Sequence, residues 1–249
     1  MSRRNLLGLA GRTAVSVVVS QSLLSCASQD LTAAGTDTTD NSGTTTNPST
    51  SCVLTAALTE GPYFVDEKLN RSDIRTDPVT GAVSSGVPLQ LTFNVSRVQN
   101  SACTALTGAY IDVWHCDAGG VYSDVSGSGA GHRFLRGYQI TDASGQVAFE
   151  TVYPGWYQGR AVHVHFKLRL FAGSTKTYEF TSQFFFDDSL TDTVHVLSPY
   201  SSKGSRDTRN TSDGIYNSLT AAQKTVLTLQ TTKTSDGYAG IINLGVNVG

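Results

Sequence analysis

The sequence has no excess of charge of either sign: 18 Lys and Arg stand against 20 Asp and Glu, a formal net charge of -2 over 249 residues. Without a basic field nothing draws the chain to phosphate backbones or anionic lipid, so no nucleic-acid partner is expected. Long hydrophobic runs are also missing. The apolar stretch from Thr13 to Val19 is too short to cross a bilayer as a helix. Leu-rich helical runs are few, internal repeats are absent, and no second block of composition marks another domain. What the chain does have is glycine, 24 residues of it, with abundant Thr, Ser and Val and 39% hydrophobic content. That composition indicates an all-β chain with many turns and one sizeable core.

The amino terminus reads as an address. Ser2-Arg3-Arg4-Asn5-Leu6-Leu7 resembles a twin-arginine export signal, and Leu23-Leu24-Ser25-Cys26 resembles the lipobox of bacterial lipoproteins, with a lipid anchor expected at Cys26. The plainer alternatives are an ordinary secretory signal and a chance cysteine. Either way the expected location is outside the cytoplasm. Residues 27–51 are polar and small and cannot offset their ordering entropy by burial, so they are expected to be a tether. The expected organisation is a signal segment at 1–26, the tether at 27–51 and one folded domain at 52–249. Once Cys26 is consumed, Cys52, Cys103 and Cys116 remain in a compartment where disulfides persist. Three pairings are open. Cys52 with Cys103 is the favoured one, because Cys116 lies in a strand-like run beside the candidate site.

Past Cys52 the dominant pattern has period two. Leu89, Leu91, Phe93 and Val95 alternate with Gln90, Thr92 and Asn94, and Ile111, Val113 and His115 alternate with Tyr110, Asp112 and Trp114. The run from Phe134 to Gly155 predicts two strands joined as a hairpin at Asp142-Ala143-Ser144-Gly145, then a Pro154-Gly155 turn. Tyr178 to Phe186 reads as another strand, and Thr225 to Gln230 and Ala239 to Val248 as late strands. Many short strands punctuated by turns predict a β-sandwich.

In Ala161 to Phe171, Val162, Val164, Phe166, Leu168 and Leu170 share one parity, and His163 and His165 share the other. Both histidines therefore project from one face of a strand, opposite the core. Such a pair is either a two-toothed metal clamp or part of a solvated sheet face, and imidazole alone does not name a metal. Tyr157 lies in the turn leading into this strand, and Tyr122 follows Gly119-Gly120. Glycine turns free the backbone to bring a phenol to a site that flanking strands cannot reach. A hard, highly charged cation holds phenolate; two phenolates, two neutral imidazoles and one hydroxide balance ferric iron.

The segments "TEGPYFVDEKLNRSDIR", "GAYIDVWHCDAGGVYSDV", "FLRGYQITDASGQVAFETVYPGWY", "GRAVHVHF" and "TSQFFF" resemble, in order and spacing, the intradiol ring-cleavage dioxygenases, most closely secreted forms that lack a helical dimerisation domain. The resemblance implies a β-sandwich with long loops holding non-haem Fe(III). It implies metal ligation by Tyr122, Tyr157, His163 and His165, with Tyr157 leaving when substrate chelates. Arg160 would abut the bound catecholate, Gln183 would be its polar partner, and Tyr63 would line the substrate pocket. His115, His132 and His195 match no ligand position. The implied partners are a small aromatic diol and O2, and the implied reaction splits the ring between its two hydroxylated carbons to give a cis,cis-muconate-type diacid. Two features depart from the enzymes of bacterial aromatic catabolism. Only Gln158-Gly159 separates Tyr157 from Arg160, and Ala161-Val162 replaces Pro-Ala before the first histidine, which puts substrate identity in doubt more than the ligands. A monomer is expected. The rival readings are a non-catalytic β-sandwich binding module and a zinc or copper site built on the histidine pair.

Overall fold

A computed structural model describes residues 53–249. The predicted export signal, the tether, the lipid anchor at Cys26 and Cys52 lie outside the described residues. Cys103 is disulfide-bonded, while Cys116 is free and buried.

Two sheets face each other across the core. The first is built on β1 (Pro88–Gln99), whose one edge carries β5 (Gln146–Val152) and β2 (Ala102–Ala105) and whose other edge pairs in parallel with β9 (Tyr238–Val246), followed by β8 (Gln230–Lys233). The second runs β4 (Arg136–Ile140), β3 (Tyr110–Trp114), β6 (His163–Ala172), β7 (Thr175–Phe185), antiparallel throughout. Leu89, Leu91, Phe93 and Val95 of β1 turn inward as their alternation requires. They meet Val164, Phe166 and Leu168 of β6 in one cluster. Phe93 is its hub, with ring contacts to Phe149, Phe166 and Phe184 at 5.9, 5.6 and 6.2 Å, mostly edge to face.

The structure corrects two local expectations. Asp142–Gly145 does form a tight turn, with Gly145 N–H donating to the Asp142 carbonyl and the Asp142 carboxylate taking the N–H groups of Ser144 and Gln146. It does not join a hairpin, because β4 pairs with β3 in one sheet and β5 with β1 in the other. The turn is a corner between layers, and Gly145 lies so close to β1 that a Cβ there would sit 2.4 Å from the Val95 carbonyl oxygen. The expected strand from Thr225 to Gln230 is divided between helix α3 (Ala221–Leu227) and the start of β8. A reciprocal cap between Thr220 and Gln223 starts α3, overriding the β propensity of Thr225 and Val226. The other helices are short: α1 (Asp188–His195), capped by Asp187, and α2 (Gly214–Asn217), capped by Asp213.

Candidate active site

The histidine pair stands on the outer face of the second sheet, opposite the core, as its parity demands. That face is not solvated: His163 and His165 are 2% and 1% exposed. The cover is the segment that precedes β1. Leu58 N–H donates to the Thr181 carbonyl, the Ser182 hydroxyl to the Ala56 carbonyl, and Gln183 Nε2 to the Thr59 carbonyl. Further along the same face Lys167 pairs with Glu60 and Glu179, and Arg169 grips Asp112 at 2.7 Å and Asp66 at 2.9 Å, so the buried cations of β6 are matched.

Strand register places Trp114, His165 and Gln183 side by side on β3, β6 and β7. The Trp114 indole lies flat on the His165 ring, 4.9 Å between centroids and 7° between planes. His163 Nδ1 donates to the Ala161 carbonyl at 2.7 Å, which fixes the tautomer and leaves the Nε2 lone pair free. That Nε2 lies 3.0 Å from His165 Nε2 and 3.1 Å from the Tyr157 hydroxyl.

Two glycine turns bring in the phenols. In the β3–β4 connection Gly120 has φ +82, and a Cβ there would lie 2.2 Å from the Trp156 carbonyl oxygen. In the β5–β6 connection a Cβ on Gly155 would lie 2.3 Å from the Ala118 carbonyl oxygen, and Gly155 N–H donates to the Asp117 carbonyl at 3.0 Å. Only glycine lets the two loops touch, and the contact sets Tyr122 and Tyr157 ring to ring at 5.6 Å. Tyr63 stacks on Tyr122 at 4.4 Å and meets Tyr157 edge-on at 5.9 Å, so it forms one aromatic wall beside the two phenols. Its carbonyl is held by buried Arg136, which also grips Ser123 next to Tyr122.

Burial governs the electrostatics. It pushes His163 down to about 3 and His165 well below the usual histidine range, so both rings are neutral at physiological pH. Burial also raises the Tyr157 phenol to about 12 and the Tyr122 phenol well above its ordinary value. Burial lifts the Cys116 thiol to about 12 as well, which leaves it unreactive. The Tyr122 hydroxyl is buried without a hydrogen-bond partner, as are Trp114 Nε1 and His165 Nδ1.

Arg160 reaches the same place from the turn after Tyr157. Its Nε donates to Asp213 at 2.8 Å and its Nη2 to Gln183 Oε1 at 2.6 Å. The structure thus brings together Tyr63, Tyr122, Tyr157, Arg160, His163, His165 and Gln183. His115, His132 and His195 lie apart from this set, bonded to Thr151, Asp77 and the Pro154 carbonyl respectively.

A family model described as "Dioxygenase" matches residues 59–198. An intradiol ring-cleavage dioxygenase from Tetranychus urticae is 31% identical, covering 79% of this chain and 95% of its own, with a TM-score of 0.66. The chain belongs to the intradiol ring-cleavage dioxygenases. The dioxygenase domain of a dioxygenase carbohydrate-binding protein fusion from Streptomyces sp. SirexAA-E is 26% identical over 79% of this chain and 100% of its own, TM-score 0.56. The fold extends to 3-chlorocatechol 1,2-dioxygenase from Rhodococcus opacus 1CP, 19% identical over 78% of this chain and 73% of its own, TM-score 0.55. A search of the curated proteins returned no significant match.

Sequence reasoning missed Asp213, Trp114, Arg136 and the Thr59 carbonyl. Asp213-Gly214 carries an N-cap signal for α2, but nothing local points to an arginine 53 positions away. Trp114 carries a strand signal only, and its stack on His165 follows from a register that single strands do not announce.

Proposed function

We propose that this dioxygenase is a non-haem Fe(III) enzyme that cleaves a catechol-type ring between its hydroxylated carbons with O2, giving a cis,cis-muconate-type diacid. The observation that carries this reading is the meeting of His163 Nε2, His165 Nε2 and the Tyr157 hydroxyl in a buried place, with the Tyr122 ring packed against Tyr157 and His165. The His163–His165 and His163–Tyr157 separations are 3.0 and 3.1 Å, close enough for the three donors to share one ion. The buried Tyr122 hydroxyl, with no partner at hydrogen-bonding distance, would supply a fourth donor. Phenols held so far above their ordinary values become phenolates only beside a strong cation, and ferric iron is the cation that two phenolates and two neutral imidazoles suit. Among the described residues no group of three or more His, Cys, Asp or Glu is placed to hold a metal, so a zinc or copper site on the histidine pair has no third ligand of its usual kinds.

Tyr122, Tyr157, His163 and His165 would hold the iron, which supplies Lewis acidity that draws electron density from a catecholate so that ring carbon reacts with O2. Tyr157 sits on a turn and keeps partial exposure, whereas Tyr122 is 6% exposed. Tyr157 would therefore be the phenol free to move aside for substrate, its Oη placed to accept one catechol proton. Tyr63 offers the diol an aromatic wall. The Arg160 guanidinium faces the developing negative charge. Burial of the pair under the segment before β1 keeps bulk water from the reacting carbon. Catechol and O2 together make the diacid with no reductant, which suits an exported enzyme; the Arg3-Arg4 and Cys26 signals support export with a lipid anchor.

The test is turnover of catechol, hydroxyquinol and protocatechuate by iron-reconstituted protein under labelled O2. The expected product carries both labelled atoms. No oxygen uptake with any of the three contradicts the reading.

A further inference from the structure

Asp213 has no exposed side-chain surface, and each of its oxygens has a separate task. Oδ1 accepts the N–H groups of Ile215 at 2.7 Å and Tyr216 at 3.0 Å, capping α2. Oδ2 accepts Arg160 Nε and the Ala161 N–H, both at 2.8 Å. Gln183 holds the other edge of the guanidinium through Nη2, and is itself fixed by its bond to the Thr59 carbonyl. Arg160 Nη1 has no hydrogen-bond partner among the described residues.

Asp213 ends a strap, residues 204–213, that grips the loop carrying Tyr157 and Arg160 at several points. Trp156 Nε1 donates to the Gly204 carbonyl at 3.1 Å, and Gly159 N–H reaches the Asp207 carboxylate at 3.3 Å. Arg206 and Arg209 tie the strap to Asp192 of α1 at 2.7 and 2.6 Å. The strap lies beyond residues 59–198, the part of the chain that the family model matches.

We infer that Asp213 is a positioning residue for ring cleavage: it orients Arg160 before substrate arrives and acts only through that arginine. The inference rests on the dioxygenase reading above. An arginine held at two edges presents its remaining N–H groups in one pose, so its ordering is complete before charge develops on the substrate. Without the carboxylate, the side chain would have to be ordered during the reaction.

Asp213→Asn separates the two tasks. Asparagine is a good N-cap, and with its oxygen on α2 its amide group faces Arg160 Nε–H and the Ala161 N–H, donor against donor. Asp213→Ser, which also caps but is too short to reach the arginine, is the second variant. In the iron-loaded enzyme, kcat for catechol is expected to fall about 10- to 100-fold in either variant. KM, and the catechol dissociation constant measured anaerobically, should stay within about threefold. In an Arg160→Ala background, Asp213→Asn should change kcat by less than about twofold. Wild-type kcat in both variants overturns the proposal. An equal loss with and without Arg160 overturns it too, as does failure of both variants to fold, since Asp213 would then be a structural cap alone. If the wild type turns over none of catechol, hydroxyquinol and protocatechuate, the dioxygenase reading falls and the proposal falls with it; an active wild type with both Asp213 variants unaffected sinks the proposal alone.

Discussion

At the scale of residues, His163 and His165 project from one face of β6, as its backbone dictates, and are buried there because the segment before β1 crosses that face, with Gln183 Nε2 bonded to the Thr59 carbonyl. Two consequences can be measured. The Tyr122 hydroxyl has no partner at hydrogen-bonding distance and interacts only weakly with the Tyr157 phenol, so removing it leaves no buried partner stranded. Metal-free Tyr122→Phe should therefore unfold in urea within about 1 kcal/mol of wild type, or above it, while losing iron binding. A large loss of metal-free stability would mean the phenol serves the fold. His115 is fully buried, bonded to Thr151 and the Cys116 carbonyl, and burial lowers it to about 4. In the unfolded chain it takes a proton near pH 6.5, as model histidines do. Below that pH the unfolded state binds the extra proton, so stability falls with pH until the folded-state value near 4 is passed. Between pH 7 and pH 5 the contribution is about 2 kcal/mol. Urea unfolding of metal-free His115→Gln should lose that much less stability over the interval than wild type; an identical loss would contradict the assignment.

At the scale of elements, most strands could be read from alternation, and the misreadings have definite causes. The turn at Asp142–Gly145 has hairpin chemistry, yet its strands belong to different layers; turn chemistry reports the reversal of the chain and carries no information about sheet membership. Thr225 to Leu227 have β propensity, but the Thr220–Gln223 cap lies upstream of the apolar run and decides the matter. The element that matters most for the site is the Pro154-Gly155 turn, which butts against the loop carrying Tyr122. Gly155→Ala forces a Cβ to within 2.3 Å of the Ala118 carbonyl oxygen, so one loop must retreat. The expected cost is about 1–3 kcal/mol of stability. Catechol turnover should fall further than that loss explains, because Tyr157 is two residues away. Unchanged turnover at reduced stability would show that loop contact does not set the phenol's position.

At the scale of the whole molecule, the sandwich supplies two things that the motifs alone could not specify. Its core, centred on Phe93, fixes the relative placement of β3, β6 and β7, and with it the row Trp114, His165 and Gln183. Its outer layer of loops, contributed by the segment before β1, the β3–β4 connection and the strap ending at Asp213, shields the face on which that row stands. Composition predicted the all-β architecture and its single core, because such a chain has few alternatives, but not the strand register that forms the row. It could not predict the second, because loops are placed by contacts such as Arg160–Asp213 that join distant positions. The central claim is that this outer layer assembles a ferric site with two phenolate ligands that a catechol chelates directly. The visible absorption spectrum of the iron-loaded protein, recorded before and after anaerobic addition of catechol, tests it most directly. A broad phenolate-to-iron charge-transfer band that moves to longer wavelength with catechol, and is lost in Tyr122→Phe, is the predicted result. A protein that stays colourless after iron reconstitution and catechol addition would contradict the account.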